Sequence, residues 1–95
     1  MRTPEGLLKD KIKADLKKRG AYFFMPVQTG YGKQSLDFLI CARGYFLAIE
    51  TKAPGKKPTP RQFATMQEIV DAGGSVCWCD KFSDYEYFMN KNGYP

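Results

Sequence analysis

The stretch Ser35-Leu36-Asp37-Phe38-Leu39-Ile40-Cys41-Ala42-Arg43-Gly44-Tyr45-Phe46-Leu47-Ala48-Ile49-Glu50-Thr51-Lys52 decides how the rest of the chain is read. Two runs of β-branched, aromatic and aliphatic residues flank Arg43-Gly44. Glycine accepts the positive φ that a tight turn needs, so the stretch reads as an antiparallel hairpin. Most of it is apolar and is expected to be buried. Asp37, Glu50 and Lys52 interrupt it, and charged groups are rarely buried unless they are paired or hold a cation.

With Arg43 and Gly44 as the two turn residues, Ala42 faces Tyr45 and Asp37 faces Glu50. Opposed residues of an antiparallel pair share a face with Cβ atoms roughly 4.5–5.5 Å apart, and Lys52 follows on that face by the two-residue period. Two carboxylates about 5 Å apart repel by roughly 3 kcal/mol at an effective dielectric of 20. That is a large fraction of the 5–15 kcal/mol that holds a small domain together. The arrangement therefore suggests a divalent cation with oxygen ligands, magnesium or manganese. The other reading of a Glu-x-Lys strand is a solvated face, and a slip of one residue would carry Asp37 to the opposite side.

The chain has 95 residues, enough for a single domain over 1–95 with one modest core. Its net charge of +5 points to an anionic partner. The polar N-terminus and the absence of a long apolar run predict no signal peptide and no membrane segment, hence a cytoplasmic protein. Cys41, Cys77 and Cys79 lie in apolar runs and read as buried thiols. The chain has no histidine, which excludes Ser-His and Cys-His nucleophiles and makes a zinc site at Cys77-Trp78-Cys79 improbable. Chemistry is left to carboxylates, lysine, tyrosine or a metal.

Thr3-Pro4-Glu5 opens a helix expected to run to Arg19 and stop at Gly20. Leu8, Ile12 and Leu16 form its apolar stripe, and Glu5 falls on that stripe, either aimed inward or complementing the helix dipole. Lys9, Lys13 and Lys17 make a neighbouring basic stripe, suited to a phosphate backbone or simply solvated. Ala21 to Val27 reads as a strand at or near a sheet edge. Gln28 to Ser35 reads as a polar loop that fails the Walker pattern, since a strand follows where a helix should.

After Lys52, residues 53–58 form a basic loop, and Thr59-Pro60 opens a second helix. Gln62, Met66, Ile69 and Val70 share one face of it, with Phe63 beside them, so Gln62 points inward near the hairpin charges. Ser75 to Cys79 is a short strand, which the strand-helix-strand order places parallel to Tyr45–Lys52. Ser83-Asp84-Tyr85-Glu86 resembles a capping box opening a last helix, with a loose tail from Asn90.

An acidic residue on the first helix, a strand Asp, Glu-x-Lys on the next strand and Gln on the following helix resemble the PD-(D/E)XK nuclease superfamily, and within it the virus-type replication-repair nuclease (VRR-NUC) branch. The matching residues are Glu5, Asp37, Glu50-Thr51-Lys52 and Gln62, although Leu36 stands where that family often has proline. The order of elements also matches, and covers almost the whole chain. The resemblance implies an α/β fold of α+β-like character, with a restriction-endonuclease-like αβββαβ core whose mixed four-stranded sheet is flanked by helices. It implies phosphodiester hydrolysis of DNA by a bacterial or phage protein, with branched DNA such as Holliday junctions or flaps as substrate.

On that resemblance Asp37, Glu50 and the main-chain carbonyl of Thr51 would hold one or two Mg2+ or Mn2+ ions, and Glu5 would complete the shell directly or through water. Lys52 would orient the attacking water, and Gln62 would position Lys52 or the phosphate. Lys33, Ser35, Lys56, Lys57 and Arg61, with Lys9 and Lys13, would grip the DNA backbone. Symmetric cutting of two strands needs two sites and hence a homodimer, for which Tyr85, Tyr87 and Phe88 offer a surface if they are exposed. The alternative is a non-catalytic nucleic-acid-binding module whose charges form a salt-bridged strand face.

Overall fold

In the computed structural model, which describes residues 2–27 and 32–92, Arg43 and Gly44 take φ of 51° and 84°. Both values are what a two-residue type I′ hairpin turn demands. The strands it joins are β2 (Phe38–Ala42) and β3 (Tyr45–Thr51), paired antiparallel with Ala42 opposite Tyr45 and Phe38 opposite Ile49. One pair further, the same register sets Asp37 against Glu50.

The elements before the hairpin are α1 (Pro4–Arg19) and β1 (Tyr22–Phe24); those after it are α2 (Pro60–Asp71), β4 (Ser75–Cys79) and α3 (Phe82–Lys91). The strands lie in the order β1-β2-β3-β4, with β1 at one edge and only the β3–β4 pair parallel. This is the expected mixed four-stranded sheet, and α2 makes the crossover that the parallel pair requires.

Both long helices start where the sequence places them. The Thr3 hydroxyl accepts from the Gly6 amide, and Gly20 closes α1 in the left-handed conformation at φ 76°. At α2, Thr59 and Gln62 form a reciprocal capping box. The third helix departs from expectation. It starts at Phe82, with Lys81 as its N-cap and no side-chain cap bond, so Ser83 to Glu86 already lie inside the first turns. The Phe82 ring explains the earlier start, because it packs on Tyr85 at 5.3 Å between centroids and on the main core. The helix also continues past Asn90 to Lys91. The loop expectation for Gln28 to Tyr31 lies outside the described residues, while Gly32 to Ser35 form no regular element.

Two apolar layers sandwich the sheet. Leu8, Ile12 and Leu16 of α1 and Tyr85, Phe88 and Met89 of α3 pack on Phe38, Ile40, Leu47 and Ile49. On the other face α2 brings Met66 and Ile69 against Ala48, Val76 and Trp78. Tyr85 and Phe88 are therefore core residues, 0% and 5% exposed, and cannot form a dimer surface; only Tyr87 of that trio is exposed. Val70 and Phe63 are also exposed, because the buried arc of α2 runs through Thr65 and Met66 instead.

A polar clamp joins α1 to α3. The Tyr85 hydroxyl donates to Asp15 Oδ2 at 2.6 Å, and Arg19 Nε donates to the same oxygen. Burial, followed by this bond to a carboxylate, pushes the Tyr85 phenol well above its ordinary range, so it remains a donor. Tyr85→Phe removes one partner of a part-buried carboxylate. The expected cost is about 1–2 kcal/mol, read as a melting temperature lower by about 5–10 °C.

Candidate functional site

The end of the hairpin away from its turn carries the charges. Asp37 stands just ahead of β2, where the ladder has ended and its carboxylate can turn toward β3. Its Oδ2 accepts from the Thr51 amide at 2.9 Å and from the Thr51 hydroxyl at 2.6 Å. In a strand the N–H and C=O of one residue point to the same side and the next residue points to the other. Lys52, the next residue, donates its amide to Cys79 of β4 at 2.9 Å. The Thr51 carbonyl is thereby directed toward Asp37, past the start of β2.

Glu50 is only 4% exposed. Its Oε2 accepts from Gln62 Nε2 at 2.9 Å and lies 3.5 Å from Lys52 Nζ. Burial, and after it the charge of Asp37, push the Glu50 carboxyl up to about 7, against the opposing pull of Lys52. Gln62 is held at both ends of its amide, since its Oε1 accepts from the Thr59 amide at 2.9 Å. The capping box that starts α2 is thus also the device that aims Gln62 at Glu50.

Glu5 is linked to Asp37 through Lys9. Lys9 Nζ lies 3.1 Å from Glu5 Oε2 and 3.7 Å from Asp37 Oδ1. Burial works to lower the Lys9 pKa, but Asp37, Glu5 and Glu50 outweigh it and the net shift is upward. The lysine read from sequence as part of a basic stripe is therefore turned into the site. A signal for this existed, because residues four apart on a helix are neighbours and Glu5 was already on the inward side. The Thr51 hydroxyl was missed as well, since threonine on a strand is ordinary β-former chemistry.

The basic residues separate into two groups. Lys56, Lys57 and Arg61 are exposed on the loop and first turn of α2 that follow Lys52, at the same end of the sheet as Asp37 and Glu50. The loop is tied down by the Gly55 amide, which donates to Asp80 at 3.0 Å. Lys33 instead pairs with Glu68 at 2.7 Å, six residues along α2 from Gln62, or about 9 Å of helix. Ser35 stays half-buried beside it, its hydroxyl donating to the Leu36 carbonyl at 3.4 Å. Lys13, half-buried on α1, is one turn beyond Lys9.

The donor set fits a hard cation. Among the described residues no three of His, Cys, Asp and Glu converge, so the protein offers two carboxylates and one carbonyl. Magnesium is commonly held by one or two carboxylates, with waters and substrate phosphate filling the octahedron. A buried Glu50 whose ionisation is resisted is the kind of ligand that a divalent ion stabilises. Cys77 and Cys79 take no part, since both pack on the α1 and α3 side of the sheet.

No protein-family model matches the sequence, and neither does any curated protein. A solved structure of a VRR_NUC domain superposes with a TM-score of 0.80 over 94% of this chain and 97% of that one, at 21% sequence identity. The two chains share a fold over nearly their whole lengths. Among the described residues no helix is long and apolar enough to cross a membrane.

Proposed function

We propose that the protein is a metal-dependent DNA nuclease that hydrolyses phosphodiester bonds, acting by structure on branched DNA such as four-way junctions or flaps. The observation that carries this reading is the buried Glu50 carboxylate, opposed to Asp37 and touched by Lys52 and Gln62. The VRR_NUC fold supports it, because that domain's name is that of a nuclease. Asp37, Glu50 and the Thr51 carbonyl would hold one or two Mg2+ or Mn2+ ions, with Glu5 completing the shell directly or through water. Such ions supply Lewis-acid polarisation of a phosphate and neutralise charge that develops on it.

The chain's own groups do the positioning. Gln62 and Thr51 lock the Glu50 and Asp37 carboxylates, so that both are preorganised before substrate arrives. Lys52, 16% exposed, projects its ammonium beside Glu50, where it can orient a water for in-line attack and stabilise charge on the phosphoryl oxygens. The exposed Lys56, Lys57 and Arg61 lie where a DNA backbone entering the site would pass, and Lys33, Ser35 and Lys13 would extend that contact. Binding should then weaken steeply with salt. Cutting two strands symmetrically needs two such sites, hence a homodimer.

The deciding experiment incubates the purified protein with a labelled four-way junction and with linear duplex, in Mg2+ or Mn2+ and in chelator. Cleavage of the junction is expected, lost in chelator and reduced about 10²–10³-fold by Lys52→Ala, as for removal of one transition-state donor. If Lys52→Ala cuts like the wild type, the assignment of this site is wrong. Junction binding at low salt with no hydrolysis in either metal would favour the non-catalytic binding module.

A further inference from the structure

Contacts at both ends fix how α2 lies on the sheet. Gln62 donates to Glu50 at 2.9 Å near its start, and near its end Ile69 stands so close to Gly74 that an added Cβ would meet it at 2.7 Å. The flank that carries Thr65 and Glu68 borders Leu39 and Phe46, on the β2 side. At about 3.6 residues per turn Phe63 falls on the opposite flank, one residue past Gln62, and so overhangs the edge strand β4. The β4 residue at that level is Trp78, which pairs with Glu50 and shares its face, about 4.8 Å along the sheet. Phe63 is 45% exposed, and Trp78 is half-buried against the Met66 cluster. Trp78 donates its indole N–H to no group among the described residues, and no buried side-chain nitrogen there lacks a partner, so that N–H opens to solvent.

From this juxtaposition we propose that Phe63 and Trp78 form a stacking platform for an unpaired base beside the scissile phosphate, so that the DNA this site takes carries a single-stranded segment at the point of cutting. The proposal rests on the nuclease reading for the place of the cut, while the binding that tests it needs no cleavage. Every base has a π-face, so aromatic side chains hold unpaired strands without regard to sequence. A paired base is already stacked on its neighbours and has no face to offer. A flap is therefore the better substrate, and a four-way junction with all its bases paired the poorer one.

The charge around the rings selects the occupant. Lys56, Lys57 and Arg61 are exposed just ahead of Phe63, and among the described residues none of them is paired with a carboxylate. Lysine is depleted at protein interfaces, whereas cations beside aromatic rings are the pairing that tracks a single-stranded backbone and its bases. The free indole N–H adds a donor for a phosphate or a base edge.

Trp78 is the only tryptophan of the chain, so its fluorescence reports on the platform directly. In chelator at low salt, a single-stranded oligonucleotide and a flap should quench it, and a blunt duplex should quench it much less. Phe63→Ala should weaken binding of the single strand about five- to a hundredfold, with duplex binding close to that of the wild type and Phe63→Tyr restoring the loss. Circular dichroism should show both variants folded, because the ring is exposed. Tyr87→Ala, on the exposed side of α3, should bind like the wild type. In Mn2+, Phe63→Ala should lose the preference for flaps over four-way junctions. Absence of cleavage in any metal with these binding differences intact would strike the nuclease reading and leave the platform standing. Fluorescence unmoved by single strands, as for a surface that binds protein, would overturn the proposal, and so would equal losses on single strand and duplex in Phe63→Ala.

Discussion

Glu50→Gln should abolish metal-dependent cleavage and, at pH 8 in chelator, make the protein more stable than the wild type. The two results have one cause. Folding raises the Glu50 carboxyl from its ordinary 4.5 to about 7, so the folded state holds this proton more tightly than the unfolded state does. The contribution to stability is fully present below about 4.5 and is lost as pH rises through about 7. Above that the ionised carboxylate costs up to about 3 kcal/mol, at 1.36 kcal/mol per pKa unit. The amide removes the charge but keeps an acceptor for Gln62, and it deprives Lys52 of its anion, so a net gain of about 1–2 kcal/mol is expected, or about 5–10 °C in melting temperature.

The gain should vanish below pH 5, where the wild-type carboxyl is already protonated. Adding Mn2+ at pH 8 should reverse the order. An ion present at a hundred times its dissociation constant stabilises the folded state by about 2.7 kcal/mol, and the wild type should gain that while Glu50→Gln gains little. Melting curves with and without Mn2+, from pH 5 to pH 8, read all of this at once. Equal stabilisation of the two proteins by Mn2+ would remove Glu50 from the metal site.

How far the sequence reached depends on which interactions are local. The register of the hairpin was legible because Arg43-Gly44 fixes the turn and the turn fixes every pair behind it, down to Asp37 and Glu50. Both helix starts were legible for the same reason, since Thr3-Pro4 and Thr59-Pro60 cap and begin a helix from within three residues. The inward direction of Gln62 followed from helical period alone. The start of α3 was misread because the local capping signal at Ser83 competes with a tertiary one, the burial of Phe82 against Tyr85. Periodicity also could not tell that Tyr85 and Phe88 are core, because that depends on α1 lying across them.

Two features needed the assembled fold. Strand alternation says that Tyr22 and Phe24 share a face, but whether a helix covers that face is decided by where α2 settles, over β3 and β4. Alternation likewise cannot show that Lys9 crosses from α1 to Asp37, because the two belong to elements whose spacing is set by the core between them. The sequence supplied the carboxylates of the site and Lys52, and left out the Lys9 ammonium that sits among them.

That ammonium makes a second large effect expected, and its sign depends on whether metal is present. Lys9 Nζ lies within 3.7 Å of Asp37 and 3.1 Å of Glu5, so in chelator it offsets the repulsion between the carboxylates. Lys9→Met keeps the apolar stem and removes the charge. In chelator the variant should melt several degrees below the wild type, because Asp37 and Glu50 then face each other with Lys52 as the nearer remaining cation. Toward Mn2+ the change runs the other way. A unit charge and a divalent ion about 4 Å apart repel by roughly 8 kcal/mol at an effective dielectric of 20 before either moves. A lysine side chain relieves most of that by swinging away, so a residual gain of about 1.4–2.8 kcal/mol, ten- to a hundredfold in affinity, is a reasonable expectation. Calorimetric titration of Mn2+ into both proteins measures it. If Lys9→Met binds Mn2+ more weakly, Lys9 does not oppose the ion, and its bridge to Glu5 serves instead to hold the ligands in place.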